Sequence, residues 1–283
     1  MKIIRREFKG NSRSDEYTII PLGDIHIGSA ACDEELLKSV CDRIRKEKNT
    51  YWVGLGDYCE FINLSDRRSD LETLADWMSI ADLVDITRSQ KERLLDYLLP
   101  IAGKCLALVK GNHEDTILKK YERDIYHEIV TAIKQAAKMK PDEDLALDYY
   151  GWIKMTFQRN ETGGLSTITG NFHHGFVNGK LAGAKALNMQ RWLWTHECDF
   201  AIFGHSHNTM AQAETVEMID KCDNVIYKTR RGGYSGTFMR TTTPGMPAGY
   251  AERKGYFPMP LGGCEVWLRP GAVDITERVK ILT

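Results

Sequence analysis

Five times along this chain a short apolar run stops at a cluster of aspartate, histidine or asparagine flanked by glycine. No other feature of the sequence limits the fold as strongly. The runs Tyr17–Leu22, Tyr51–Leu55, Cys105–Val109, Leu165–Phe172 and Phe200–Phe203 read as strands. The clusters that follow them are GDIH (23–26), GDYCE (56–60), GNHE (111–114), HHG (173–175) and GHSH (204–207). Between the runs, apolar residues recur at helical spacing over Asp33 to Lys48, about Leu71 to Leu99, Asp115 to Lys138 and Leu181 to Thr195. Strands alternating with helices build an α/β domain, and in such sheets ligands gather beyond the carboxyl ends of the strands. The five clusters are therefore expected to converge on one crevice. The glycines suit sharp strand-to-loop turns, which call for positive φ or close backbone approach.

Local signals refine this outline. Asp33 followed by Glu34 and Glu35 suits a helix start. Pro21 suggests that the first run is an edge strand or has an irregular end. Trp152 to Phe157 pairs with Leu165 to Phe172 through the turn-rich segment Asn160–Gly164. The last quarter is β in character, with a Pro/Gly-rich loop from Thr243 to Gly263. With no internal repeat, residues 1–283 are read as a single domain, 211–283 completing the second sheet and supplying a substrate-facing loop. The seven cysteines are odd in number and show no CxxC spacing. That excludes a zinc ribbon or a disulfide frame and points to reduced thiols. The opening MKIIRREFKGNSRSDEY has no apolar signal-peptide core, and no apolar run reaches the ~18 residues of a membrane span. A soluble, cytoplasmic protein without membrane partners is expected. The formal net charge of -1 announces no general affinity for nucleic acid, although a local basic groove is compatible with it.

Together and in this order, the five segments resemble the pattern of the calcineurin-like metallophosphoesterases, over about the first 210 residues. The resemblance implies an α/β fold of two packed mixed β-sheets flanked by helices, a four-layer α-β-β-α sandwich. It implies two divalent metal ions per chain. Carboxylate, imidazole and amide donors favour manganese, with iron, zinc, nickel or magnesium as alternatives. In the family pattern Asp24, His26, Asp57 and His207 hold one ion, and Asp57, Asn112, His174 and His205 the other, so that Asp57 bridges them. Of His173 and His174, the second is the match, because Gly175 follows it. His113 takes the place of the general acid beside the metals. Glu60 stands where the protein phosphatase branch has an aspartate that orients this histidine, and Glu114 is its competitor for that role.

The implied activity is hydrolysis of phosphate esters by a metal-bridging hydroxide. It leans to phosphodiesters, nucleic acid or a nucleotide, because Phe61-Ile62 replaces the Arg-Gly that protein phosphatases carry after the second acidic residue. A phosphomonoesterase acting on nucleotides, small molecules or phosphoproteins is the alternative, and a non-catalytic metal-binding scaffold the second. The basic cluster Arg230, Arg231, Arg240, Arg253 and Lys254 flanks the Pro/Gly-rich loop, and Arg240 is its candidate substrate contact. Arg67 and Arg68 are candidate phosphate clamps, with a solvated charged loop the plainer account. Trp192 and Trp194 serve either as a base-stacking platform or as packing residues. His127 and His196 belong to no motif and read as structural or solvent-facing. Self-association is left open.

Overall fold

The strands leading to the first three motifs are mostly apolar because both of their faces are covered. In a computed structural model, residues 1–9, 12, 14–62, 71–158, 165–175, 181–242, 250–253 and 255–269 are described. The strands are β1 Lys2–Lys9, β2 Tyr17–Leu22, β3 Thr50–Gly54, β4 Cys105–Leu108, β5 Tyr150–Gln158, β6 Leu165–His173, β7 Phe200–Phe203, β8 Thr209–Ile219, β9 Val225–Ser235 and β10 Val266–Leu268. The principal helices are α1 Glu34–Lys46, α2 Ile86–Leu98, α3 Asn112–Tyr121, α4 Ile125–Ala136 and α5 Ala182–Thr195. One sheet has the order β10-β2-β3-β4 and the other β1-β5-β6-β7-β9-β8. Both are mixed: β2, β3 and β4 run parallel while β10 is antiparallel to β2, and β5 is parallel to β1 but antiparallel to β6.

Three apolar layers separate the elements. Ile19, Val53 and Ala107 of the smaller sheet meet Ile153, Met155, Phe172, Phe200 and Ile202 of the larger one. On the smaller sheet's other face, Ile20, Leu22, Trp52 and Leu108 pack against Leu37 and Ile44 of α1, Leu94 and Leu98 of α2, and Ile129 and Ile133 of α4. Met189 and Leu193 of α5 cover Ala201, Phe203 and Tyr234 on the outer face of the larger sheet. The result is the four-layer α-β-β-α sandwich.

Where the elements depart from the sequence expectations, local chemistry gives the reason. The helix expected from Leu71 is regular only from Ile86, where the Asp85 side chain caps the first turn by accepting from Arg88 N. The helix expected over Asp115 to Lys138 is two helices. Glu122 adopts a left-handed φ of 56° that ends α3, and Asp124 caps α4. β1 was not foreseen, since its charged residues hide the two-residue period; charges are typical of an edge strand, and β1 is one. Pro21 lies in an interior strand, but β10 pairs only with Tyr17 to Ile19, so the proline stands past the end of that ladder. The C-terminal quarter extends both sheets, β8 and β9 joining the larger and β10 the smaller. The turn at 160–164, Arg67, Arg68, Lys254 and residues 243–249 of the Pro/Gly-rich loop lie outside the described residues. Among the described residues no helix is long and apolar enough to cross a membrane.

Candidate metal centre

The motif loops leave their strands in a conformation that side chains rarely adopt. Asp24, His26, Asp57, His205 and His207 have φ values of 50°, 57°, 50°, 64° and 54°, in the left-handed region. Each such residue costs on the order of 1–3 kcal/mol and persists only where its surroundings over-determine it. The bracing is visible. Asp24 N donates to Gly56 O at 3.0 Å, and Ile25 N and His26 N both donate to Asp57 O, at 3.0 and 3.1 Å. The third loop is tied in by the buried Glu114 carboxylate, which accepts from Gly111 N at 2.8 Å, Asp57 N at 3.0 Å and Tyr58 N at 2.9 Å. This approach needs a glycine at 111, where a Cβ would stand 2.2 Å from the Asp57 nitrogen.

The side chains then form two compact donor groups, Asp24 with His26 and His207, and Asp57 with His174 and His205, each with ligand atoms within 4.8 Å of one another. In the first, His207 Nε2 is 3.3 Å from His26 Nε2 and 3.5 Å from Asp24 Oδ1. In the second, His174 Nε2 is 3.0 Å from Asn112 Oδ1 and 3.4 Å from Asp57 Oδ2. Donors bonded to one ion at about 2.1 Å stand about 3.0–3.4 Å apart, the edge of an octahedron or tetrahedron. The observed separations match that edge.

Hydrogen bonds behind the rings set which nitrogen faces inward. His174 Nδ1 donates to the Leu55 carbonyl at 2.6 Å, and His26 Nδ1 to Glu60 Oε2 at 2.7 Å. Thr237 Oγ1 spends its hydrogen on Asp24 O at 2.9 Å, so at 3.4 Å it accepts from His207 Nδ1. With Nδ1 held from behind, all three rings turn Nε2 toward the centre, an arrangement typical of metal-bound histidines. Asp24 Oδ2 accepts from His205 N at 2.7 Å, whereas the buried Oδ1 has no hydrogen-bond partner. An unsatisfied buried carboxylate oxygen is costly, and a cation there removes the cost. The donor sets fit divalent ions.

Electrostatics agree. Burial pushes the Asp24 carboxyl up to about 7, with the Asp57 carboxylate adding to the rise. Burial opposes a proton on His26 and on His174, but Glu60 lifts the first to about 9 and Asp57 lifts the second to about 10. At His207 burial, with the neighbouring His26 adding to it, drives the ring down to about 3. Metal-free, the centre balances its carboxylates with imidazolium protons, and a divalent cation would displace them.

The predicted ligand residues come together with His113 and Glu60, whereas Arg240 does not join them, and Glu60 and Glu114 take other roles. Glu60 does not orient His113 through its carboxylate, because that group is taken by His26. Its backbone carbonyl holds His113 Nδ1 instead. Glu114 is equally unavailable to His113, being spent on three backbone N–H groups. His113 N donates to Asp57 Oδ1 at 2.9 Å, and its ring packs edge-on to His26 with centroids 4.9 Å apart. His174 faces the centre. His173 faces away, stacked on Tyr150 and edge-on to Trp192, with burial driving it down to about 4. Arg240 is engaged by Asp33, the cap of α1, and Arg230 is buried with Nη1 on the Leu193 carbonyl. Neither is placed as a substrate clamp. Trp192 lies against His196 with rings 4.0 Å apart and gives its N–H to Asn171, which is packing; Trp194 is exposed. His127 pairs with Asp124 on the surface. Thr237 escaped the sequence reading, since a lone threonine 30 residues past the last motif carries no pattern.

Comparison with known proteins adds the following. The family model described as calcineurin-like phosphoesterase matches residues 17–209. Among curated proteins no match is found. Solved structures similar to this chain include Vps29 from Chaetomium thermophilum, at 14% identity and a TM-score of 0.40, covering 90% of this chain and 83% of that one. A predicted phosphoesterase from Streptococcus pneumoniae TIGR4 aligns at 12% identity and a TM-score of 0.33, covering 90% and 84%. Vps29 from Entamoeba histolytica, in complex with Zn²⁺, aligns at 13% identity and 0.34, covering 82% and 81%.

Proposed function

We propose that this chain, which belongs to the calcineurin-like phosphoesterase family, hydrolyses phosphate esters with two divalent ions and prefers phosphodiesters. The observation that carries the reading is the pair of adjacent donor groups with coordination-edge spacings, the first of which holds a buried Asp24 oxygen that has no hydrogen-bond partner. Asp24, His26 and His207 would hold one ion and Asn112, His174 and His205 the other, with the two oxygens of Asp57 shared. Manganese suits this mixture of oxygen and nitrogen donors. Two such ions supply Lewis acidity toward the phosphoryl oxygens and a water of lowered pKa.

The chain's own groups do the rest. Buried Asp24 and Asp57 fix the charge of the centre, and the bonds behind the imidazoles hold their aim. With Nδ1 committed to the Glu60 carbonyl, His113 offers its other ring nitrogen for proton transfer to the leaving-group oxygen. The diester preference is supported by the surroundings of the second motif. Phe61 is buried and its N–H is bound by Gln90 Oε1 at 2.7 Å, so no arginine enters from that position. Among the described residues no arginine side chain is placed at the donor groups, which suits the single charge of a diester over the monoester dianion. Buried cysteines, all but Cys222, accord with a reducing cytoplasmic setting, and the joining of both sheets by the C-terminal strands accords with a single domain.

The test is hydrolysis of a chromogenic phosphodiester, the matched monoester, and single- and double-stranded DNA, each with Mn²⁺, Mg²⁺, Ni²⁺ and Zn²⁺. The reading expects Mn²⁺-dependent turnover with the diester kcat/KM above that of the monoester. The reverse preference with every metal would make the protein a phosphomonoesterase, and metal binding without any turnover would make it a scaffold.

A further inference from the structure

Helix α5 starts a few residues beyond the HHG segment, and in its first turn Lys185 points inward with only 5% of its surface exposed. Lysines are seldom buried to this degree unless the ammonium is paired. Here Nζ donates to Asn208 Oδ1 at 2.7 Å and to the Ser206 carbonyl at 3.3 Å. Both acceptors belong to the loop between β7 and β8, where they alternate with His205 and His207. Those two histidines are the left-handed residues of this loop. A segment with two strained positions in three relaxes to other conformations unless bonds to its neighbours prevent it.

Lys185 is itself anchored. Its carbonyl accepts from the Tyr234 hydroxyl at 3.2 Å, and the fully buried Met189 one turn later presses on Gly232 of β9, where a Cβ would meet its Sδ at 2.5 Å. The ammonium therefore connects a helix fixed on the larger sheet with a loop that contributes one imidazole to each donor group.

We propose that Lys185 is a positioning residue for the metal centre, clamping the 204–208 loop so that His205 and His207 can both reach their ions. The inference rests on the metal-binding reading above. Metal affinity is sensitive to such supporting bonds, and loss of one typically weakens it by about 10- to 100-fold. Lys185→Met keeps most of the aliphatic stem and removes the donors, and Asn208→Ala removes the closer acceptor.

The experiment is calorimetric titration of the chelator-stripped chain with Mn²⁺, alongside urea unfolding of the same metal-free proteins. Each variant should bind Mn²⁺ about 10- to 100-fold more weakly than wild type. The double variant should be little worse than Lys185→Met alone, since Lys185→Met already breaks the contact that Asn208→Ala removes. A merely structural lysine would lower the urea midpoint and leave Mn²⁺ affinity where it was. Should Lys185→Met fail to fold, Asn208→Ala alone still decides, because wild-type affinity in that variant overturns the clamp. Wild-type affinity in both variants overturns the role of Lys185 and leaves the phosphoesterase reading standing, whereas a wild-type chain that takes up no Mn²⁺ overturns both.

Discussion

Glu114 offers the most direct check on how the motif loops are assembled, because one carboxylate holds two of them together. Its Oε2 accepts from Asp57 N and Gly111 N and its Oε1 from Tyr58 N, in a site that is 1% exposed. In Glu114→Gln the amide has one acceptor oxygen. Placed where Oε2 was, it keeps two N–H bonds without the charge that strengthened them, and the NH₂ group confronts the Tyr58 N–H. An orphaned buried N–H costs about 1–3 kcal/mol, and bonds to a charged group are worth about 1.5–3 against 0.5–1.5 for neutral ones. The expected loss is about 2–4 kcal/mol for Gln and more for Ala, which orphans all three donors. Urea unfolding in excess chelator measures it without a contribution from bound metal, and the slope should stay unchanged. A Gln variant within about 0.5 kcal/mol of wild type, the scatter of a neutral surface change, would refute the bracing.

His113→Gln should retain metal and lose about 10²- to 10⁴-fold in kcat, measured by diester hydrolysis beside metal analysis of the same sample; loss of metal would reassign His113 as a ligand. His174→Ala should strip metal and activity while His173→Ala keeps both, by elemental analysis, since only the former faces Asn112 and Asp57. Glu128, bonded by Arg123 and Lys91, is held down at about 2. A depressed carboxylate contributes stability above its unfolded pKa of about 4.5 that is lost as pH falls toward 2. Glu128→Gln should therefore flatten the acid limb of a stability-versus-pH curve, modestly because the pair is partly solvated, and an unchanged acid limb would count against it.

What the sequence disclosed and what it hid have physical reasons. The buried strands were legible because Ile19-Ile20 and Phe200–Phe203 are apolar on both faces, and the ligands because each follows such a strand. The helix ends at Asp33 and the strand pair of residues 150–173 were legible from caps and alternation. The break at Glu122 was hidden, since a non-glycine residue in a left-handed conformation leaves no compositional mark. The partner of His113 was misassigned because sequence spacing ranks side chains, whereas the bond is made by the Glu60 main chain. Thr237 and Lys185 act on the centre from distant elements, across contacts that only the folded sheets create. The role of Arg240 turned on its pairing with Asp33, two residues 207 positions apart in the chain.

The central claim is a dinuclear centre with Asp57 shared between the ions. Elemental analysis of folded, Mn²⁺-loaded protein after removal of free metal tests it most directly, with Asp57→Asn measured in parallel. The account predicts two ions per chain in the wild type and loss from both sites in Asp57→Asn, whose neutral amide no longer balances two cations. One ion or none in the folded wild-type chain, under metal excess, would contradict it.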